Sequence, residues 1–104
     1  MEFGFKTKAL RRLCEQEAYA CRELGDEAAA ALRRRLADLE AVDTLTELPW
    51  VPIVFGGGGE ASIEFYPGYH LNAVAVRGGS SMPKIPQTDW STVDRLNILG
   101  VTES

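Results

Sequence analysis

Two clusters of basic residues are the side chains in this sequence best suited to bind a charged ligand. One lies near the start of the chain and the other at residues 33–35. Gathered on one surface, such side chains would bind phosphate groups and hence nucleic acid. The alternative, which we favour from the sequence alone, is that they are solvated helix faces paired with carboxylates such as Glu15 and Asp38. The candidate nucleic-acid-binding residues are Lys6, Lys8, Arg11, Arg12, Arg33 and Arg34.

Few other side chains are suited to metal binding or acid–base catalysis. The two cysteines, Cys14 and Cys21, are seven residues apart in a predicted helix, so about 10 Å separates them along one face. That is too far for a disulfide within a straight helix, and a metal site would need further ligands. We therefore expect two small buried apolar side chains, with no metal and no cofactor.

Two further patterns near the middle of the chain also have structural interpretations. Glu60 and Glu64 would lie about 13 Å apart on one face of a strand, which is too far for a paired-acid site. The glycine run at residues 56–59 is followed by neither a lysine nor a helix, so it predicts a hairpin loop, not a phosphate-binding loop.

The first half of the chain predicts a short strand and a pair of helices. Residues 2–5 form the strand, and Thr7 is a plausible N-cap for a helix that Gly25 ends. Asp26 then caps a second helix rich in alanine, which completes an αα-hairpin. A connector at residues 43–49 follows, with a short helical turn. The apolar stripe of the first helix is Leu10, Leu13, Cys14, Ala18, Cys21 and Leu24.

The second half predicts a small antiparallel sheet of three to four strands. Strands are expected at residues 50–55, where Pro52 indicates an edge position or a bulge, at 61–66, and at 69–76, which is the most apolar and hence central. A less regular C-terminal extension covers 82–104, as a tail or a short helix that Gly100 ends. The residues that would dock this helix are Val93, Leu96 and Leu99.

The composition indicates one α+β domain over residues 1–104. The chain has 45% hydrophobic and 25% charged residues, which is typical of a globular protein. Its net charge of −4 argues against indiscriminate binding to nucleic acid. No run approaches the roughly 20 apolar residues that span a bilayer, and charges interrupt the N-terminus where a signal peptide would be apolar. We expect a cytoplasmic protein with no membrane partner.

Residues 5–48 carry three strings whose order and spacing point to a known family. They are Phe-Lys-Thr-Lys-Ala-Leu-Arg-Arg-Leu at 5–13, Leu-Arg-Arg-Arg-Leu at 32–36 followed by Asp38 and Leu39, and Ala-Val-Asp-Thr-Leu-Thr-Glu-Leu at 41–48. Together with the order of elements, they resemble the HigB branch of the RelE/ParE toxin superfamily, the plasmid-maintenance killer proteins. The resemblance implies a RelE-like fold and the toxin component of a type II toxin–antitoxin system.

Members of that family are small ribonucleases that cleave mRNA on the ribosome and are held inactive by a cognate antitoxin. The resemblance therefore implies an antitoxin as partner, together with ribosome and mRNA. In such a nuclease His70 would be the general acid or base, because its pKa lies near physiological pH. Tyr66 or Tyr69 would orient it or stack on a base, and Arg77 would neutralise phosphate.

The second half departs from the family pattern where the catalytic residues should lie. Residues 50–56 contain neither the histidine nor the lysine of the family motif that enters the sheet. Glu64 stands where the family has an arginine, and His70 stands where a phosphate-facing arginine is expected. These differences motivate an alternative, a catalytically degenerate toxin-like protein that binds an antitoxin-like or other protein. Its extension at 82–104 would fill a groove in cis or mediate a homodimer.

Overall fold

The computed structural model describes residues 1–56, 59–77, 80–81, 90 and 93–103. It confirms the α+β class. A single 3-10 turn, Leu45–Glu47, lies in the connector where the sequence predicts a helical turn. In chain order the helices and strands are β1 (Glu2–Phe5), α1 (Lys8–Glu15), α2 (Glu17–Leu24), α3 (Asp26–Glu40), β2 (Ile53–Phe55), β3 (Glu60–Tyr66), β4 (Tyr69–Arg77), β5 (Ser80–Ser81) and β6 (Arg95–Glu103).

The helical layer has three helices where the sequence predicts two. Thr7 caps α1 as expected, because its Oγ1 accepts the Leu10 N–H at 3.1 Å. The continuous first helix is wrong, since Gln16 takes an extended conformation (φ −112°, ψ 110°) and α2 starts after it. The apolar stripe continues across this break because the Gln16 N–H still bonds to the Arg12 carbonyl, at 2.8 Å. Sequence periodicity alone therefore does not reveal it.

A single glycine joins α2 to α3. Gly25 ends α2, as predicted, and also occupies the N-cap position of α3 with φ 87° and ψ 160°. That region of backbone space is nearly exclusive to glycine. Asp26 is therefore the first helical residue and not the predicted cap, and it supplies negative charge near the positive end of the α3 dipole together with Glu27.

The sheet is mixed, which corrects the prediction of a purely antiparallel sheet. Its strand order is β1-β6-β4-β3-β2, with β5 pairing with the end of β4. β1 runs parallel to β6, and the other neighbouring strands are antiparallel. β4 is central as predicted, while β2 is an edge strand that begins after Pro52.

The C-terminal segment is a long strand, so the predicted short helix is wrong. Residues 95–103 form β6, which lies between β1 and β4. Leu96 and Ile98 are both fully buried, in the alternation that a half-buried strand requires. The register then shifts by one residue at Leu99, which interrupts the alternation. Leu96 and Leu99 are three residues apart in the sequence, and the prediction of a helix rests on this spacing. The predicted extension at 82–89 lies outside the described residues.

The core fills the space between α3 and one face of the sheet. The helix contributes a stripe of leucines at helical spacing, Leu32, Leu36 and Leu39, and the connector adds Leu45 and Leu48. The sheet contributes its inward-facing residues, which are fully or almost fully buried: Ala61, Ile63, Phe65, Leu71, Ala73, Ala75, Leu96 and Ile98.

Candidate functional site

The face of the sheet that points away from α3 is the candidate site, and we call it the open face. Its side chains alternate along each strand with the buried residues of the core. They are polar over most of the surface and form a shallow depression of about 270 Å³ that extends over β2, β3, β4 and β6. The described members of the open face with side chains larger than a hydrogen are Glu2, Val54, Glu60, Ser62, Glu64, His70, Asn72, Val74, Val76, Arg95, Asn97, Leu99 and Thr102.

His70 lies on this face with a carboxylate as its neighbour. The register places Glu64 on β3 and Thr102 on β6 directly beside it. The Nε2 atom of His70 is 3.8 Å from Oε2 of Glu64, and the His70 side chain is 26% exposed. A protonated imidazole at that distance would form an ion pair with the carboxylate.

Tyr69 faces the other way, toward the helices. Successive strand residues point to opposite faces, and the Tyr69 ring packs 5.9 Å from Phe65 and 5.8 Å from Tyr66, measured between ring centroids. The Tyr66 hydroxyl is engaged elsewhere, because it donates a hydrogen bond to Glu27 Oε2 on α3 at 2.6 Å. This bond raises the pKa of Tyr66. Neither tyrosine is placed to orient His70. The Arg77 side chain lies outside the described residues.

Negative charge dominates the open face. Glu60 and Glu64 both belong to it and neither has a cationic partner other than His70 among the described residues. Arg95 is the one lysine or arginine on the described strands of this face, and its guanidinium is already bound to the carboxylate of Glu2. The uncharged polar groups bond to each other, with Asn72 Nδ2 donating to Thr102 Oγ1 at 3.1 Å. An approaching phosphate would meet carboxylates here.

Five of the six predicted nucleic-acid-binding residues lie on the helices. Lys6 follows β1, where its N–H continues the ladder to the Ile98 carbonyl, so it lies at the end of the strand on the same face as Glu2. On α1, the Arg11 guanidinium lies 5.3 Å from the Phe5 ring and that of Arg12 lies 4.4 Å from the Tyr19 ring. Such contacts hold the arginine side chains flat against the protein. Lys6 and Lys8 are exposed.

The basic cluster of α3 is divided between ion pairs and solvent. Arg33 bonds to Glu17 of α2 at 3.0 Å, while Arg34 is exposed. Arg35 contacts Asp38 at 3.3 Å and also donates from Nε to the Glu64 carbonyl at 3.0 Å. Several of these cations thus have carboxylates or rings as partners, in agreement with the interpretation as solvated helix faces.

The cysteines are in separate helices and both are free. Cys14 in α1 and Cys21 in α2 are half-buried, not fully buried as predicted. Burial is the main reason that the pKa of the Cys14 thiol rises from 9.0 to about 11, with a smaller contribution from Glu15. The described residues contain no group of three or more histidine, cysteine or acidic side chains that could hold a metal ion.

The proximity of Glu64 and His70 is a feature that reading the sequence missed. A regular hairpin around Pro67 and Gly68 would place His70 opposite Phe65. Instead the register shifts between Glu64 and Tyr66, which leaves Phe65 unpaired and moves Glu64 next to His70. An alternating pattern does not indicate such a bulge, although two consecutive aromatic residues before the turn are compatible with one.

Comparisons with models of protein families, with curated proteins and with solved structures found no match to this chain. The class of protein is therefore defined by the fold and the site alone. It is an α+β domain with three helices on one side of a mixed sheet and an acidic opposite face. None of the helices in the described residues is long and apolar enough to cross a membrane.

Proposed function

We propose that this chain is a RelE/HigB-like toxin-type subunit of a toxin–antitoxin pair that acts by binding a protein partner and not by cleaving RNA. The resemblance of residues 5–48 to the toxin family supports the first part. The observation that carries the second part is the charge of the open face, where Glu64 lies 3.8 Å from His70 and the described arginine is bound to Glu2.

RNA cleavage by this family's chemistry requires one surface to provide a general base, a general acid and cations. A base must take the ribose 2′ proton, an acid must protonate the leaving oxygen, and cations must stabilise the charge on phosphorus. The open face offers one titratable pair for proton transfer. Its carboxylates oppose the stabilisation of charge on phosphorus. Repulsion between a carboxylate and a phosphate about 4 Å apart would cost about 1 kcal/mol in water and about 4 kcal/mol at a protein surface.

One observation favours nuclease activity as a second candidate. A histidine held beside a carboxylate is a common general base, and His70 with Glu64 has that arrangement. In this interpretation phosphate would be bound by the cations of α1, such as Lys8, which is exposed.

The first experiment is expression of the chain alone in bacteria, with growth and the rate of protein synthesis followed after induction. We expect neither to change. The comparison variants are His70→Ala and Thr102→Ala, since Thr102 is the cross-strand neighbour of His70 on the same face. Arrest of translation that is lost in His70→Ala and kept in Thr102→Ala would establish the nuclease and overturn the proposal.

The second experiment tests for the protein partner. The chain is co-expressed with the products of the reading frames on either side of its gene and purified through a C-terminal tag. We expect one neighbour to co-purify in fixed stoichiometry through a sizing column. If the chain causes no arrest and neither neighbour binds, the assignment to a toxin–antitoxin pair fails.

A further inference from the structure

β1 ends the sheet with an edge that is ready to pair. In its ladder with β6, only every second residue of β1 directs its main-chain groups toward β6. The Glu2 N–H bonds to the Asp94 carbonyl at 3.1 Å, and beyond the strand the Lys6 N–H bonds to the Ile98 carbonyl at 2.9 Å. In a parallel ladder the intervening residues direct both N–H and C=O away from the neighbour. Phe3 and Phe5 therefore present their main-chain groups outward.

Protection against edge pairing differs between the two ends of the sheet. β2 has three residues, enclosed between Pro52 and Gly56, which limits the number of bonds it can offer. β1 has no proline and no bulge, and in the part of the chain that the structure describes β6 is its one strand neighbour. Natural proteins usually protect such an edge, so an unprotected one suggests that it pairs.

We propose that β1 pairs with β1 of a second copy, antiparallel and about a two-fold axis, to join two sheets into one. The main-chain N–H and C=O groups of Phe3 and Phe5 face outward. An antiparallel copy forms hydrogen bonds with the groups of both residues when Phe3 of one chain lies opposite Phe5 of the other. This register puts Gly4 opposite Gly4 on the axis, where main chains come to about 4.5 Å. It also puts Glu2 opposite Lys6 of the second copy, twice.

This segment is thus complementary to itself in charge as well as in hydrogen bonding. Reading Glu-Phe-Gly-Phe-Lys from both ends pairs acid with base, aromatic with aromatic and glycine with glycine. Opposite charges and aromatic pairs directly across strands are stabilising. An interface between identical copies requires this kind of self-complementarity.

The structure has room for the aromatic pairs. A groove of about 650 Å³ runs along the outer edge of β1, between that strand and helices α1 and α3. Phe3 and Phe5 are half-buried in its wall, so part of each ring remains free to contact the second copy. Cys14, Leu36 and Ala37 complete the apolar part of its lining.

The test is the concentration dependence of mass in sedimentation equilibrium, using protein without an N-terminal tag. We expect a monomer–dimer equilibrium in the wild type. Lys6→Glu places like charges opposite each other twice, and so does Glu2→Lys. Each should raise Kd about tenfold, equivalent to ~1.4 kcal/mol. The double variant Glu2→Lys with Lys6→Glu restores both pairs and should recover the wild-type Kd.

Two controls separate this interface from other effects. Arg95→Ala removes the ion pair that holds Glu2 within one chain and leaves the sequence of β1 unchanged, so Glu2 is free to pair with Lys6 of the second copy and dimerisation should be at least as strong as in the wild type. Amide hydrogen exchange should show protection of Phe3 and Phe5 that rises with protein concentration, while Lys6, already bonded to β6, stays constant. A monomer at millimolar concentration would overturn the proposal, and so would a dimer whose Kd the charge reversals leave unchanged.

Discussion

The central position of β6 leads to a quantitative prediction for two adjacent residues, Ile98 and Leu99. Ile98 is fully buried between β1, β4 and the helices, whereas Leu99 is 38% exposed at the register shift. Truncating a fully buried isoleucine to alanine removes its transfer free energy and leaves a cavity, which costs about 2–5 kcal/mol. Truncating Leu99 removes half-buried surface that solvent can refill, so about 1 kcal/mol is expected.

Urea denaturation of the wild type, Ile98→Ala and Leu99→Ala measures both costs. With a loss of about 3 kcal/mol, Ile98→Ala should also melt about 12–24 °C lower, since each kcal/mol shifts Tm by about 4–8 °C in a domain of this size. The dependence on urea should keep the same slope, which shows that the surface exposed on unfolding is unchanged.

The same pair of variants discriminates the strand from a C-terminal helix. In a helix, Leu96 and Leu99 would share the buried face and Ile98 would point elsewhere. Leu99→Ala would then be the more damaging change. A loss of stability in Leu99→Ala that equals or exceeds the loss in Ile98→Ala would refute the assignment of β6.

Three further predictions concern backbone conformation and titration. Gly25→Ala should cost about 1–3 kcal/mol because φ 87° suits only glycine, whereas Gly100→Ala, with open space around it, should cost less than half of that; thermal melts compare the two. The pKa of the Cys14 thiol is raised from 9.0 to about 11, so at pH 8 this thiol should be alkylated about a hundredfold more slowly than a thiol of ordinary pKa. Peptide mass spectrometry measures the rate. The stability that the protonated thiol contributes should be lost as the pH rises from 9 to 11. Backbone N–H donors at the 3-10 turn lower the pKa of Glu47 below its ordinary 4.5, so the stability difference between wild type and Glu47→Gln should be present at pH 7 and shrink as the pH falls below 4.5, measured by urea titrations at each pH.

The helical half of the fold could be predicted because its signals are local. Thr7 and Gly25 mark helix ends through their own backbone and side-chain chemistry, and the leucines of α3 repeat with the helical period. The break at Gln16 could not be predicted, since the spacing of Cys14, Ala18 and Cys21 in the sequence fits one continuous helix, although Ala18 is exposed in the structure. Neither could β6, because the pairing that makes it a strand comes from β1 and β4, far away in sequence.

The site is less predictable than the fold because it depends on register. The alternation of β3 predicts that Ser62, Glu64 and Tyr66 share a face. It is correct for Ser62 and Glu64 and wrong for Tyr66, which bonds to Glu27 on α3 after the register shift. Which residue lies opposite His70 depends on a bulge of one residue at Phe65, and a single step changes the neighbour from an aromatic ring to a carboxylate. A bulge is stabilised by tertiary packing, so local propensity does not reveal it.

The negative charge of the open face is the strongest argument about function that this molecule offers. The arginines of the helices are balanced there by carboxylates, as in the ion pair of Arg33 with Glu17, whereas the described open face has carboxylates beside the sole histidine. A nuclease site at His70 would need the opposite arrangement, since a phosphate near Glu64 is repelled by about as much as an arginine there would attract it. The interaction energy of the phosphate therefore differs by about 2–8 kcal/mol between an arginine and a carboxylate at this position. That difference is enough to decide whether the surface binds RNA. A protein partner with cationic side chains gains from the same carboxylates, so the charge that disfavours RNA cleavage favours a basic protein surface.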